Sequence, residues 1–245
     1  MPSLCFVIVV AFTSLALEVL CETAIFPKSD DSDKMCGYNT EMNDELRRNF
    51  TDMHNYRRSQ LALGKVSKRQ GYLPAASNMI KLEWDCCLER NATEYVRTCP
   101  HEGSKEKQRD SRIGELYARV PVTVGDYKRG IREALTNWWK VVRQVAEDRC
   151  IGKDTTFFPQ KHAEIKTFAQ MAWAKTTKVG CAIGICPSTT AKDKEYVVVC
   201  RYFPKGNKEN ENVYSVGRAC NACPNGYSCT APFDCDQQNC QGLCI

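Results

Sequence analysis

Six of the sixteen cysteines fall between Cys220 and Cys244, in a stretch with few apolar side chains. A segment of that kind cannot bury a core, so cross-links have to hold it. Two other cysteines, Cys5 and Cys21, lie in or just beyond an N-terminal apolar run, LCFVIVVAFTSLAL over residues 4–17. That run falls short of the roughly 20 apolar residues that span a bilayer, and it reads as a secretory signal over residues 1–21. Fourteen cysteines follow it, an even number in an oxidising compartment, which points to disulfides. Zinc is the competing reading of the Cys220-x2-Cys223 and Cys240-x3-Cys244 spacings, and the absence of any histidine after His162 weighs against it. No later segment is apolar enough for an integral membrane span, so the sequence predicts a secreted, extracellular protein.

The secretory reading gives meaning to two N-glycosylation sequons, at Asn49 (Asn49-Phe50-Thr51) and at Asn91 (Asn91-Ala92-Thr93). The net charge of +5 is spread through interspersed acids and bases, with no arm of like charge, so nucleic acid is not an expected partner.

Hydrophobic periodicity then divides the chain. Residues 22–35 are polar and acidic and read as a flexible N-terminal segment. Leu46, Phe50, Met53, Arg57 and Leu61 recur at helical spacing, predicting a helix over about 43–63 capped by Asn43. Pro74 predicts the start of a second helix, with Ala75, Met79, Leu82 and Cys86 on one side. A third helix follows Asp126, where Ile131, Ala134, Leu135, Trp138, Val142 and Val145 form the apolar stripe. At most one of Trp138 and Trp139 faces the core at that spacing. A fourth helix covers HAEIKTFAQMAW, residues 162–173, with His162 as a partly exposed residue at its start. Residues 179–185 and 195–203 are rich in β-branched side chains and read as a hairpin joined by an exposed PSTTAKD loop. Residues 205–212 read as a hinge. Helices flanking a small sheet predict an α+β layered domain with a Cys-rich tail.

Four stretches carry a resemblance. HNYRR (54–58), RIGELYA (112–118), FAQMAW (168–173) and VVVCRYFPKGN (197–207) resemble, in order and spacing, the signatures of the CAP superfamily, and the opening helix, the NWW motif and the GLCI terminus resemble its nematode activation-associated secreted and venom allergen-like branch. The resemblance implies a three-layer α-β-α sandwich, a CAP domain over residues 36–207, and a hinge with a C-terminal disulfide-rich extension over 208–245. It implies disulfides between Cys181 and Cys200 and between Cys99 and Cys186.

CAP proteins typically carry two histidines and two glutamates in one cavity. Transferred to this chain, the four positions are His54, Glu115, Val141 and Thr167, so two of the four metal-type donors are missing. Neither Val141 nor Thr167 suits zinc, and His54 with Glu115 reads as a hydrogen-bonded structural pair rather than a metal or catalytic site. His101, in the loop after Cys99, reads as loop structure. These substitutions predict a protein without catalytic residues, metal or other cofactor. The resemblance implies sterol or fatty acid as a ligand, and a parasite-type effector or immune modulator directed at a host extracellular or cell-surface protein. A metal-dependent hydrolase using the partial tetrad is the alternative.

Overall fold

The computed structural model describes residues 23–122, 125–188, 193–229 and 241–245. The signal over residues 1–21, most of the PSTTAKD loop, and Cys235 and Cys240 lie outside the described residues.

The first helix, α1, runs Asp44–Ala62. Asn43 caps it by accepting the Leu46 N–H, and Asp44 and Glu45 sit in its first turn, where the helix dipole favours negative charge. Strand β1 is short, Glu83–Trp84. Helix α2, Cys86–Arg97, follows at once, capped by Asp85, which accepts from the N–H groups of Cys87 and Leu88. Strand β2 is Gly114–Pro121 and helix α3 is Tyr127–Lys140, capped by Asp126. A short α4, Lys166–Met171, leads to strands β3, Lys178–Pro187, and β4, Lys194–Phe203. The sheet order is β1-β3-β4-β2, with β1 parallel to β3 and the other neighbours antiparallel. Helices α1, α3 and α4 enclose the main core on one sheet face, while α2 covers the other, against Ala182, Val197 and Val199. The result is the three-layer α-β-α sandwich.

Two elements differ from the sequence reading. Residues 74–82 form no helix. That segment is an extended strap. Ala76 bridges Val216, Ile80 bridges Cys244, and the Lys81 N–H donates to the Cys244 carbonyl at 2.9 Å. Partners remote in sequence satisfy the backbone there, which overrides local periodicity. The helix expected in this region begins instead at Cys86, with Leu88, Ala92 and Val96 buried. Strand β2 also went unread, because the RIGELYA segment carries too little β-branched character to announce it.

Among the described residues, five disulfides join Cys36–Cys86, Cys99–Cys186, Cys181–Cys200, Cys220–Cys229 and Cys223–Cys244. Cys181 and Cys200 face each other across β3 and β4, and Cys99–Cys186 ties the end of α2 to the end of β3. The four described terminal cysteines cross-link among themselves, yet the described part of the tail is not a separate body. Leu243 and Cys244 are fully buried, and Leu243 sits in the main core with Val213 and Tyr214. Where a hinge was expected over 205–212, the backbone is fastened: Lys205 N–H donates to the Arg112 carbonyl, and Phe157 N–H to that of Glu211.

Candidate functional site

The four motifs meet around β4, where alternate residues point to opposite sheet faces. Tyr202 enters the main core beside α1, whereas Arg201 enters the α2 side and stands over the Tyr95 ring, 5.6 Å from its centroid. This alternation decides what becomes of the cavity residues.

His54, four residues after Phe50 on α1, is fully buried. Its Nδ1 donates to the Phe50 carbonyl at 2.8 Å, which leaves Nε2 as the acceptor for the Tyr202 hydroxyl, also at 2.8 Å. Burial drives the imidazole pKa down to about 3, so the ring is neutral throughout the physiological range. Both nitrogens are occupied by protein partners.

Glu115 pairs in register with Arg201 and therefore lies on the other face. Its Oε2 meets Arg201 Nη1 at 2.8 Å, and its Oε1 accepts the Ser104 N–H at 2.6 Å, with Arg109 Nη1 3.8 Å away. The expected His54–Glu115 pair is thus corrected: the sheet separates them. Val141 is half-buried at the C-terminal end of α3, and the Thr167 hydroxyl donates to the Trp138 carbonyl at 2.9 Å. A histidine with both nitrogens engaged, a carboxylate neutralised by arginines across the sheet, a valine and a committed threonine do not make a cation site. Among the described residues, the group with metal-type donors that come close together is Cys36, Cys86 and Glu89, and its two cysteines are joined in a disulfide.

The rest of the first motif is also structural. Arg58 is fully buried without a carboxylate partner, and its nitrogens donate to the carbonyls of Ile80, Met171, Trp173, Ala174 and Thr176. Burial lowers its pKa to about 9, so the guanidinium stays charged within this cage of peptide oxygens. Asn55 closes a two-way bond with the Leu82 backbone. These side chains lock α1 to the extended strap and to the turn after α4.

His162 differs from its expected exposure. It is 2% exposed, and it precedes a 3-10 turn at Ala163–Ile165 rather than α4 itself. Its Nδ1 accepts the Phe158 N–H at 3.0 Å, so Nε2 carries the proton, and burial lowers its pKa. Both tryptophans of the NWW pair are buried, at 4% and 6% exposure, because α3 is covered on two sides. Trp138 Nε1 donates to the Tyr117 carbonyl, and Trp139 packs on Phe168 with centroids 4.6 Å apart.

A groove of about 690 Å³ opens between α1 and α3. Met53, Val66 and Trp139 supply apolar surface, and Tyr56 lies at the side. Five basic residues, Arg57, Lys65, Arg132, Lys140 and Arg143, line it against one carboxylate, Asp52. Arg57 is held by the Met53 carbonyl and the Thr136 hydroxyl rather than by an acid. Burial, reinforced by the Arg143 charge, lowers its pKa to about 10. Lys65, Arg132, Lys140 and Arg143 have no ion-pair partner among the described residues. Sequence reading missed this groove, since its cations come from α1, α3 and the turns that follow each of them, and look like ordinary solvated residues in each. The two sequon asparagines are placed differently: Asn49 is half-buried in the groove wall with its Oδ1 sealed and unpartnered, and Asn91 is exposed on α2.

Comparison with known proteins places these features in context. The family model described as "CAP: Cysteine-rich secretory protein family" matches residues 51–202. Ancylostoma secreted protein from Ancylostoma caninum is 28% identical over 228 residues, covering 91% of this chain and 50% of that protein. Hookworm platelet inhibitor 1 from the same organism is 26% identical, covering 94% of this chain and 97% of the other. Among solved structures, Na-ASP-1 superposes with a TM-score of 0.72 at 27% identity, over 89% of this chain and 51% of that one. NaASP2, solved with Zn2+, gives 0.67 at 27% identity, over 83% of this chain and 97% of its own. The chain therefore spans about half the length of Ancylostoma secreted protein and of Na-ASP-1.

Proposed function

The chain belongs to the cysteine-rich secretory protein (CAP) family, and from that premise we propose that it is a secreted, non-enzymatic protein that binds an anionic amphiphile, a fatty acid, in the groove between α1 and α3. The observation that carries this reading is the groove itself: apolar surface from Met53, Val66 and Trp139 beneath five basic side chains that outnumber the single lining carboxylate, Asp52. A chain with an acyl tail and a carboxylate head matches both halves, whereas a sterol matches only the first. The volume of about 690 Å³ falls within the range of ligand-binding clefts. Chemistry rather than kinship supports the non-enzymatic reading. The imidazole of His54 cannot reach a substrate without breaking two buried hydrogen bonds, and Glu115 is on the other side of the sheet. The metal-dependent hydrolase alternative needs those groups together.

Several relatives carry names of secreted, venom or platelet-inhibiting proteins, which supports an extracellular effector acting on a host protein. The five described disulfides suit such a destination.

The lipid reading is tested by titrating the purified protein with oleate and, separately, with cholesterol. Saturable oleate binding is expected, weakened about tenfold by Lys140→Glu with Arg143→Glu, a loss of about 1.4 kcal/mol. Cholesterol binding that is insensitive to these substitutions, with no oleate binding, would replace the fatty acid by a sterol.

A further inference from the structure

The opposite sheet face carries a second cleft of about 530 Å³, between α2 and the loop that precedes β2. Asn91, the first residue of its sequon, stands at this cleft on an exposed position of α2, and Tyr95, one turn further along, contributes to the wall. Arg201 forms part of the lining and is only 5% exposed. Its Nη1 donates to Glu115 and to the Ser104 hydroxyl, but its Nε–H has no acceptor among the described residues. A buried donor left unpaired is costly, and folded proteins rarely tolerate it. The ionisable side chains of the lining balance, Arg109 and Arg201 against Glu94 and Asp110, so the cleft favours a neutral, oxygen-rich occupant over an ion.

We infer that this cleft seats the first sugars of an N-linked glycan carried by Asn91 of the same chain. Arg201 Nε is sealed from solvent in this structure, and a small turn of the side chain presents it to the acetamido oxygen of the first N-acetylglucosamine, which supplies the missing acceptor while the Tyr95 ring supports the sugar. The inference rests on the secretory reading, because attachment needs a polyprenyl-diphosphate-linked oligosaccharide. In that step Asn91 Nδ2 bonds to the sugar C1, the bond from C1 to the diphosphate oxygen breaks, one amide proton is lost and polyprenyl diphosphate leaves, with no change of oxidation state. The other sequon offers no comparable seat: Asn49 is half-buried, and sugars there would fill the ligand groove.

The experiment uses the full chain secreted from eukaryotic cells. Glycopeptide mass spectrometry reads occupancy at Asn91, and hydrogen exchange over residues 104–110 is compared with the Asn91→Gln protein. Asn91 is exposed and its side chain makes no hydrogen bond among the described residues, so the substitution leaves the fold intact. Asn91 is expected to be glycosylated, with exchange over 104–110 about tenfold faster once the glycan is absent. Protein in the medium with Asn91 unmodified overturns the inference while leaving the secretory reading standing, as does a glycan whose removal leaves exchange unaltered. Retention of the chain inside the cell removes the secretory premise and the inference with it.

Discussion

At the scale of single residues, the sharpest feature is a histidine that cannot take a proton. His54 spends both nitrogens on Phe50 and Tyr202, and its folded pKa lies near 3 against an ordinary value of 6.5. Above the ordinary value both folded and unfolded chains hold it neutral, so it adds no pH dependence there. As pH falls below that value the unfolded chain binds a proton that the folded chain refuses, and stability drops until the folded pKa is reached. Between about pH 6.5 and pH 4.5 the loss from this residue is about 2 kcal/mol. Denaturant unfolding of the native protein and of His54→Gln, each at neutral pH and at about pH 4.5, checks this. The variant is less stable at neutral pH, but its acid-induced loss is smaller by about that amount. An equal acid-induced loss in the two proteins would show that His54 titrates normally. The motif residues His54, Asn55 and Arg58 could be found in the sequence by resemblance. Their structural duty could not, because their partners are backbone carbonyls and a tyrosine hydroxyl up to 148 positions away.

At the scale of elements, α2 lies close against β3, and Gly180 makes the approach feasible. A Cβ at this position would lie 2.3 Å from the Glu89 nitrogen and 2.5 Å from the Asp85 carbonyl oxygen, both backbone atoms of the first turn of α2. Backbone cannot rotate away as a side-chain tip can, so Gly180→Ala must push the helix off the sheet. A destabilisation of about 1–3 kcal/mol is expected, with faster hydrogen exchange concentrated in α2. A variant with unchanged unfolding midpoint would show that the helix has slack. Helices α1 and α3 and strands β3 and β4 were legible, since each shows its own period and caps. Strap 74–82 and helix α2 were not, since the strap's hydrogen bonds go to residues near the C-terminus and β1 leaves almost no gap before α2.

At the scale of the whole molecule, the Cys-rich tail is joined to the main core rather than appended to it. Leu243 is completely buried there, and the Ser59 hydroxyl on α1 donates to the Gln241 carbonyl at 2.6 Å. Leu243→Ala is therefore expected to lower global stability by about 2–5 kcal/mol within one cooperative unfolding transition. A main transition that does not move, accompanied by loosening of the tail alone, would restore the picture of a detached module. The sequence by itself determined the family, the layered architecture, two of the disulfides (Cys181–Cys200 and Cys99–Cys186, through the resemblance) and the residue types at the four cavity positions, because these are properties of residue type and spacing along one chain. Tertiary structure alone decided that His54 and Glu115 never meet, that His162 is enclosed, and that five cations gather over an apolar groove. Each of those depends on which sheet face a residue occupies and which helix lies across from it, and a one-residue step in a strand reverses the first.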